Sequence, residues 1–252
     1  MAETTAIGWT RSTWNPWIGC TKVGPGCDHC YAERTDARGI FGGATHWGTG
    51  VPRYRTSVAN WNQVHRWNKT AARTREFWPV FAASQADIFD NEVPDEWRDD
   101  FWKVIRECPH LTFQIVTKRI GNVLRMLPAD WGAGYPNVWL IATVVTQAEA
   151  DRDIPKLLKI PAKLHGLSME PLLERVTIPI ELLSKLGWLI VGGESGPGAR
   201  NMLTEWAQYL LKQCDFAGVP FFLKQLGGVL DKRAALEQIP PDLHRREIPH
   251  VV

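Results

Sequence analysis

Six short runs of apolar, mostly β-branched or aromatic residues recur along the chain and restrict the folds open to it. Between them lie stretches with apolar residues at helical spacing, for example Pro94–Cys108 and Thr204–Gly218. Apolar strands that alternate with amphipathic helices indicate parallel βαβ units with both faces of the sheet covered. The predicted strands are Trp78–Ser84, Leu111–Thr117, Asn137–Val145, Ala162–Ser168, Gly187–Gly193 and Val219–Gln225.

A further strand is expected near the N-terminus, in the segment STWNPWIG at residues 12–19. About six to seven parallel strands favour a full or partial (β/α) barrel, like a TIM barrel, over an open sheet of fewer strands. We therefore predict one α/β barrel-like domain over residues 1–252. It carries a basic, Trp-rich insertion or lid at 39–75 and a polar C-terminal tail at 229–252.

The chain carries no sign of export or of a membrane anchor. Its N-terminus lacks a basic segment followed by an apolar run, and no run approaches the ~18 apolar residues of a membrane span. We expect a cytoplasmic protein with no membrane partner. Its five cysteines are an odd number, which argues against a disulfide framework in a reducing compartment. Cys108 and Cys214 fall within predicted helices and are expected in the core.

Polar residues follow the predicted strands one after another. Because active-site groups gather at the carboxyl ends of parallel strands, these residues predict a shared site. They are Ser84, Asp87, Thr117, Lys118, Arg119, Thr143, Gln147, Ser168, Glu170, Glu194, Ser195, Lys224 and Gln225.

The other three cysteines, Cys20, Cys27 and Cys30, lie together in a Gly-rich loop with the spacing C-x6-C-x2-C. Three thiolates suit a four-iron cluster in which one iron lacks a protein ligand and can coordinate a small molecule. Zinc is an alternative, but it normally takes four protein ligands, and His29 would form a cramped chelate. A redox C-x-x-C pair would use Cys27 and Cys30 and leave Cys20 without a role.

A resemblance to a known family is carried by six strings of sequence. They are STWNPWIGCTKVGPGCDHCYAER, SQADIFDNEVPDEW, TFQIVTKR, SMEPLL, WLIVGGESGPGARNM and GVPFFLKQLGG, in this order. These strings resemble a phage-associated three-cysteine-motif family at the edge of the radical S-adenosylmethionine (radical SAM) superfamily, whose usual spacing is C-x3-C-x2-C. The likeness runs from about Trp9 to Gly228. It implies a barrel, or an incomplete barrel, with the cluster loop after the first strand.

In enzymes of that kind, three cysteines bind a [4Fe-4S] cluster whose fourth iron is chelated by the amino and carboxylate groups of SAM. One electron then cleaves SAM to a 5′-deoxyadenosyl radical, which abstracts hydrogen from a substrate, while the protein binds, orients and excludes water. The resemblance therefore implies that Cys20, Cys27 and Cys30 are the metal ligands. It also implies an external electron donor, and it is compatible with a partner protein that completes the site.

The resemblance also implies cofactor contacts by position. Tyr31 matches an aromatic residue that often packs near the adenine, and Ser84 and Asp87 would face the methionine amine. The superfamily's usual Gly-Gly-Glu is missing there, and GGES stands after the sixth predicted strand instead. The glycine-rich loop Gly192–Arg200 is a further candidate contact, although a tight turn explains its glycines equally well. The candidates for the ribose and carboxylate are Ser168, Glu170, Glu194 and Ser195.

The substrate is indicated by a window without acidic residues, from Ala37 to Arg75, which holds seven Lys and Arg residues. Cations there could neutralise phosphates while tryptophan rings stack on bases, which favours a nucleic acid or nucleotide substrate. The alternative is a solvated basic face whose tryptophans anchor the lid to the barrel. The candidate nucleic-acid-binding residues are Arg53, Arg55, Arg66, Lys69, Trp61 and Trp67.

The leading hypothesis is an iron–sulfur enzyme of radical SAM type that modifies or repairs a nucleic acid base or nucleotide. The competing hypothesis is a non-catalytic nucleic-acid-binding protein whose cysteine cluster holds a structural zinc. The metal content of protein purified without oxygen separates the two.

Overall fold

A computed structural model describes residues 2–228 and 239–249 of the chain. Seven parallel strands form one sheet, in the order β1-β4-β5-β6-β7-β8-β9. Neighbours in the sheet therefore follow one another along the chain, as they do around a (β/α) barrel. This order confirms the predicted α/β class with a partial barrel. The strands are β1 (Ser12–Trp14), β4 (Pro79–Ala82), β5 (Thr112–Thr117), β6 (Val138–Thr143), β7 (Leu164–Met169), β8 (Trp188–Gly192) and β9 (Phe221–Gln225).

The predicted N-terminal strand is split in two. Pro16 has no backbone N–H for a sheet hydrogen bond, and only β1, before it, joins the large sheet. After Pro16, β2 (Trp17–Ile18) pairs antiparallel with β3 (Tyr54–Arg55).

Helices connect the strands, and the two that the sequence predicts most clearly, around residues 94–108 and 204–218, are present. None of the helices in the described part of the chain is long and apolar enough to cross a membrane. The helices are α1 (Tyr31–Asp36), α2 (Val58–Thr74), α3 (Asp95–Glu107), α4 (Val123–Met126), α5 (Gln147–Leu157), α6 (Ile180–Leu183) and α7 (Thr204–Ala217).

The chain divides into two compact units. The first unit comprises Met1–Val23, Cys30–Leu140 and Ile160–Lys163, and the second comprises Gly24–His29, Ile141–Lys159 and Leu164–Val252. Cys20 and Cys30 thus belong to the first unit, and Cys27 belongs to the second.

The core of the first unit is rich in aromatic side chains. The ring of Trp14 stacks on Phe101 of α3 with a centroid distance of 5.4 Å, and it forms a perpendicular contact with the ring of Trp61, also at 5.4 Å. Trp61 and Trp67 lie on the buried face of α2 together with Val64 and Ala71. The predicted insertion therefore contains a helix that is packed into the core, because its apolar residues recur at helical spacing.

The second unit packs α7 beside β8 and β9, with Cys214 fully buried in α7. Residues 239–249 run beside β9, where Arg246 bridges antiparallel to Phe222. The side chain of Trp188 donates a hydrogen bond to the carbonyl of Glu247 over 2.9 Å. Of the predicted polar tail, residues 229–238 and 250–252 lie outside the described residues.

The two isolated cysteines are core residues, as predicted. Cys108 follows the last residue of α3, and both it and Cys214 have no exposed surface. Burial raises the pKa of each thiol to about 12, so neither is a reactive thiolate at neutral pH.

Candidate functional site

Cys20 lies beside a buried arginine in the first unit. Arg119 follows β5, and its Nη1 donates a hydrogen bond to Sγ of Cys20 over 3.2 Å. The same nitrogen donates to Oδ2 of Asp87, which follows β4, also over 3.2 Å. Nη2 of Arg119 donates to the carbonyl of Thr21 over 2.5 Å. These contacts bring the cysteine loop after β1 to the carboxyl ends of β4 and β5.

Asp87 uses both carboxylate oxygens within the protein. Besides Arg119, it accepts hydrogen bonds from Thr117 Oγ1 at 2.8 Å, from the backbone N–H of Lys118 at 3.1 Å and from that of Phe89 at 2.9 Å. Its side chain is 7% exposed. We expected this carboxylate to face a cofactor amine. In this structure the group accepts hydrogen bonds from residues at the ends of β4 and β5, and its contact with a cofactor amine stays a prediction.

A second buried pair adjoins the first. Arg53 donates to Asp90 through Nε over 2.8 Å and approaches it with Nη2 at 2.7 Å, and the two side chains are 0% and 2% exposed. Asp90 also lies 3.5 Å from Arg119, and Arg53 Nη2 donates to Thr21 Oγ1 over 2.6 Å. The cluster thus contains two cations and two anions, a balance that buried charges require.

Arg53 is therefore corrected as a candidate nucleic-acid contact. Its Nη1 donates to the carbonyls of His46, Gly48 and Val51 over 3.0, 3.0 and 2.8 Å. A guanidinium held by these carbonyls and by Asp90 has no exposed donor with which to meet a phosphate. These hydrogen bonds of Arg53 hold the loop before β3 in place.

Burial has the largest effect on the pKa of the Cys20 thiol. Burial raises the pKa of the Cys20 thiol to about 12, although Arg119 beside it acts in the opposite direction. Burial alone would lower the pKa of the Arg119 guanidinium, but the charges of Asp87, Cys20 and Asp90 raise it above its ordinary value. Arg119 is thus a permanent cation next to the sulfur.

The residue before Cys20 has to be glycine. Gly19 has a φ of +111°, which L side chains rarely adopt. A Cβ atom there would lie 2.3 Å from the carbonyl oxygen of His46 and 2.8 Å from Cδ of Arg53. The close approach of these two chain segments therefore fixes where the Cys20 loop begins.

In the second unit, the loop that carries Cys27 is fastened by Glu194 and Arg200. Oε2 of Glu194 accepts hydrogen bonds from Arg200 N at 2.9 Å and Nε at 3.0 Å, and it lies 2.8 Å from His29 Nδ1. Oε1 accepts from Arg200 Nη2 over 2.7 Å. Arg200 continues to Asp28 Oδ2 at 3.0 Å and to the Pro25 carbonyl at 2.8 Å.

These contacts set the charge of Glu194. Burial alone would raise the pKa of this carboxyl, but the side chain and backbone N–H of Arg200, together with His29, lower it to about 2. Glu194 is therefore ionised at all ordinary pH values. We expected it to bind cofactor hydroxyls. In this structure both oxygens contact Arg200 or His29, and the role toward cofactor hydroxyls stays a prediction.

The remaining cofactor candidates fall into two groups. In the first unit, the hydroxyl of Tyr31 donates to the carbonyl of Ser84 over 2.7 Å, and Asn15 donates to the Ser84 hydroxyl over 3.1 Å. In the second unit, Ser168 is buried at the end of β7, and Glu170 forms an ion pair with Lys224 of β9 at 3.0 Å. Ser195 is exposed in the loop after β8.

The two predicted stacking tryptophans are core residues. Trp61 is 8% exposed and Trp67 is 1% exposed, so neither ring can stack on a base without leaving the core. Arg55 lies over the Trp61 ring, 4.5 Å from its centroid, and forms an ion pair with Asp100 at 2.6 Å. The structure thus corrects the stacking role of both rings.

The exposed cations of α2 remain as a candidate nucleic-acid surface. Arg66 and Lys69 point outward, and Arg73 is exposed one turn further along. Arg66 donates to the side-chain oxygen of Gln63 through Nε over 2.9 Å and also through Nη2, and the residue as a whole is exposed.

The three loop cysteines differ in exposure, since Cys27 is buried while Cys20 and Cys30 are partly exposed. Among residues 2–228 and 239–249, no group of three or more Cys, His, Asp or Glu side chains is arranged to hold a metal ion. The thiols supply the right kind of ligand for iron, but the described residues do not form a ready-made metal cradle.

Residues 4–247 match the family described as "Protein of unknown function (DUF5131)". The chain belongs to this family. A search of curated proteins found no match.

Among solved structures, the chain is similar to three forms of spore photoproduct lyase. A mutant with bound AdoMet and dinucleoside spore photoproduct is 14% identical, with 80% of this chain and 60% of that chain covered and a TM-score of 0.47. A second mutant is 13% identical, with 84% and 63% covered and a TM-score of 0.49. The complex with dinucleoside spore photoproduct is 14% identical, with 78% and 58% covered and a TM-score of 0.46. The chain thus spans about 60% of the length of the structures that it matches.

Three residues hold the segments around Cys20 and Cys27 in place: Arg119, Asp90 and Arg200. Arg119 and Arg200 are among the strand-end and glycine-loop residues that the sequence predicts, but Asp90 is not. No local pattern indicates their partners, which for Asp90 and Arg200 lie 37 and 172 positions away along the chain.

Proposed function

We propose that this protein is an iron–sulfur enzyme of radical SAM type, with Cys20, Cys27 and Cys30 as the ligands of a [4Fe-4S] cluster. The observation that carries this proposal is the hydrogen bond from Arg119 to Cys20. It puts a thiol of the cysteine loop at the carboxyl ends of β4 and β5, where parallel α/β proteins carry their active-site groups. A buried guanidinium beside a sulfur suits a thiolate ligand, because it compensates the added negative charge.

The donor set fits the cluster in kind, since thiolates are its usual protein ligands. When bound, such a cluster supplies an electron for reductive cleavage of SAM, and the electron has to come from an external donor. The metal-free chain holds no ready-made cradle among its described residues, so the proposal requires the cysteine loop to close around iron and sulfide. The chain's own task is to hold the loop, orient the cofactor and exclude water.

Five residues are proposed for cofactor contact, two in the first unit and three in the second. Asp87 and Glu194 already accept several hydrogen bonds from protein donors, and we propose that they act by holding Arg119 and Arg200. Ser168, Glu170 and Ser195 in the second unit, and Tyr31 and Ser84 in the first, keep their proposed role toward SAM. Glu170 pairs with a single cation, Lys224 at 3.0 Å, whereas Asp87 and Glu194 each accept several hydrogen bonds. We propose that its carboxylate also accepts a hydrogen bond from the SAM amine.

We propose a nucleic acid or nucleotide as the substrate, to be modified or repaired at a base. The support is the exposed basic face of α2, with Arg66, Lys69 and Arg73, inside a window that contains no acidic residue. Cations on one face neutralise phosphates without reading sequence. Since Trp61 and Trp67 are buried, stacking on bases is not part of this surface. A partner protein could complete the site.

The experiment is anaerobic reconstitution with iron and sulfide, followed by incubation with SAM and dithionite. The expected result is a coloured protein with about four iron and four sulfide per chain, which forms 5′-deoxyadenosine and methionine. The Cys27→Ala variant should lose both the iron and the cleavage. A wild-type protein that stays colourless and leaves SAM intact would overturn the proposal.

A structural zinc site in a non-catalytic nucleic-acid-binding protein is the second candidate. It is favoured by the 2.8 Å contact between His29 Nδ1 and Glu194, because metal-bound histidines commonly donate their other ring N–H to a carboxylate. One zinc and no iron per chain, after purification without oxygen, would establish this candidate in place of the first.

A further inference from the structure

The loop Gly24–His29 carries Cys27 and is held at three of its residues by two side chains that follow β8. Arg200 contacts Pro25 and Asp28, and Glu194 contacts His29. These contacts lie on both sides of Cys27 in the sequence. Glu194 and Arg200 also belong to the same compact unit as the loop.

Glu194 is itself a rigid anchor. Its carbonyl accepts a hydrogen bond from the N–H of Gly228 over 2.8 Å. The preceding residue, Gly193, packs so closely against the segment after β9 that a Cβ atom would lie 2.0 Å from the carbonyl oxygen of Leu226. The backbone at Glu194 is thus held against the segment after β9, at the carboxyl end of the sheet. The side chain of Glu194 is 6% exposed.

Arg200 links this anchor to the loop. Its guanidinium forms a fork toward Glu194 with Nε and Nη2, while Nη1 and Nη2 reach Asp28 and Pro25. A planar guanidinium can serve several acceptors in fixed directions, which a lysine ammonium cannot do as well. Each of these charge-assisted bonds is stronger than a neutral one.

We propose that Glu194 and Arg200 form a clamp that positions the Cys27 loop, and that they are positioning residues rather than cofactor contacts. The clamp keeps the Cys27 thiol buried and holds the loop in the conformation in which Cys27 binds the metal. Its importance for metal binding rests on the function proposed above, whereas its effect on the metal-free loop does not.

The test is the rate at which iodoacetamide alkylates Cys27 in the metal-free chain, measured by peptide mass spectrometry. Cys214, which is fully buried in α7 of the same unit, reports global opening in the same sample. Arg200→Gln should raise the Cys27 rate about tenfold or more, because a loop freed from its contacts opens locally. The Cys214 rate should not change.

Three further variants sharpen the test. Glu194→Gln should also raise the Cys27 rate, and the double variant should be no faster than Arg200→Gln alone, because both changes break the same clamp. Arg200→Lys should restore part of the protection. Arg245→Gln is the matched control, since Arg245 pairs with Asp215 and Glu247 in the same unit, each at 3.0 Å. An unchanged Cys27 rate, or an equal rise at Cys214, would overturn the proposal.

The outcome is separable from that of the proposed function. If wild-type protein binds a cluster, Arg200→Gln should bind less iron per chain under identical conditions, in step with its faster alkylation. If wild-type protein binds none, the alkylation rates still decide whether the clamp exists.

Discussion

The guanidinium of Arg119 donates a hydrogen bond to the sulfur of Cys20 over 3.2 Å, although the two residues are 99 positions apart in the chain. Arg119 also contacts Asp87 and Asp90. The first cysteine of the loop is thereby tied to a buried, charge-balanced cluster at the carboxyl ends of β4 and β5. This relationship links the stability of the first unit to the position of a candidate metal ligand.

Loss of the Arg119 side chain should be costly for folding. Arg119→Leu leaves Asp87 and Asp90 buried with one cation fewer, and breaking such a pair typically costs about 3–5 kcal/mol. We expect a loss of that size in the free energy of unfolding, measured with urea. Arg66→Leu removes an exposed guanidinium from α2 and should change the value by about 0.5 kcal/mol or less. Equal losses in the two variants would contradict the buried cluster.

A methyl group at Gly19 should not be tolerated. In Gly19→Ala the new Cβ would lie 2.3 Å from the carbonyl oxygen of His46, at a φ of +111°. We expect a loss of more than about 3 kcal/mol in the free energy of unfolding or a failure to accumulate soluble protein. At Gly121 a Cβ would meet nothing within 4 Å, so Gly121→Ala should be close to neutral. The two unfolding curves should therefore differ widely.

The ion pair at Glu194 predicts how stability falls in acid. The pKa of Glu194 is lowered from 4.5 to about 2 in the folded chain, so its contribution is complete above about pH 4.5. That contribution is lost as the pH falls from about 4.5 toward 2, because over this range the unfolded chain binds a proton at Glu194 that the folded chain does not. The free energy of unfolding of Glu194→Gln should accordingly fall less steeply across this window. Asp153, whose pKa is also lowered, is present in both proteins and contributes equally to both pH dependences. If the two proteins show the same slope, Glu194 is not stabilised as described.

The cysteines should separate into two classes. Cys27→Ala should abolish iron binding after anaerobic reconstitution, whereas Cys214→Ala should bind as much iron as wild type. Cys214 is buried in α7, and its replacement costs about 1 kcal/mol of stability through the small cavity that it leaves. The measurement is the iron and sulfide content per chain. If the two variants bind the same amount of iron, the loop is not the metal site.

The basic face of α2 should bind phosphates in a salt-dependent way. The double variant Arg66→Gln and Lys69→Gln should weaken binding to a DNA or RNA oligonucleotide at low salt. It should also reduce the slope of log affinity against log salt by about 2, one per lost phosphate contact. Lys103→Gln, on the acidic helix α3, should leave the slope unchanged. If all three proteins bind alike, α2 is not the contact surface.

The strands and the main helices could be predicted because their signal is local. Runs such as LTFQIVT and WLIVGG carry apolar, β-branched residues that have to be buried on both faces, and β5 and β8 form within those segments. The same kind of signal is present in α2, although its tryptophans also suggest a surface that stacks on bases. Trp61, Val64 and Ala71 recur at helical spacing and line its buried face, so the tryptophans belong to the core.

The sequence by itself determined the α/β alternation, the approximate number of parallel strands and the clustering of three cysteines in one glycine-rich loop. The tertiary structure alone decided which buried charges pair with one another: Asp87 pairs with Arg119, and Arg53 pairs with Asp90. The hydrophobic periodicity of strands and helices depends on neighbours along the chain, so it can be recognised in the sequence. Pairing of buried charges depends on distances across strand ends that are tens of residues apart, and only the folded chain brings those groups within a hydrogen bond of one another.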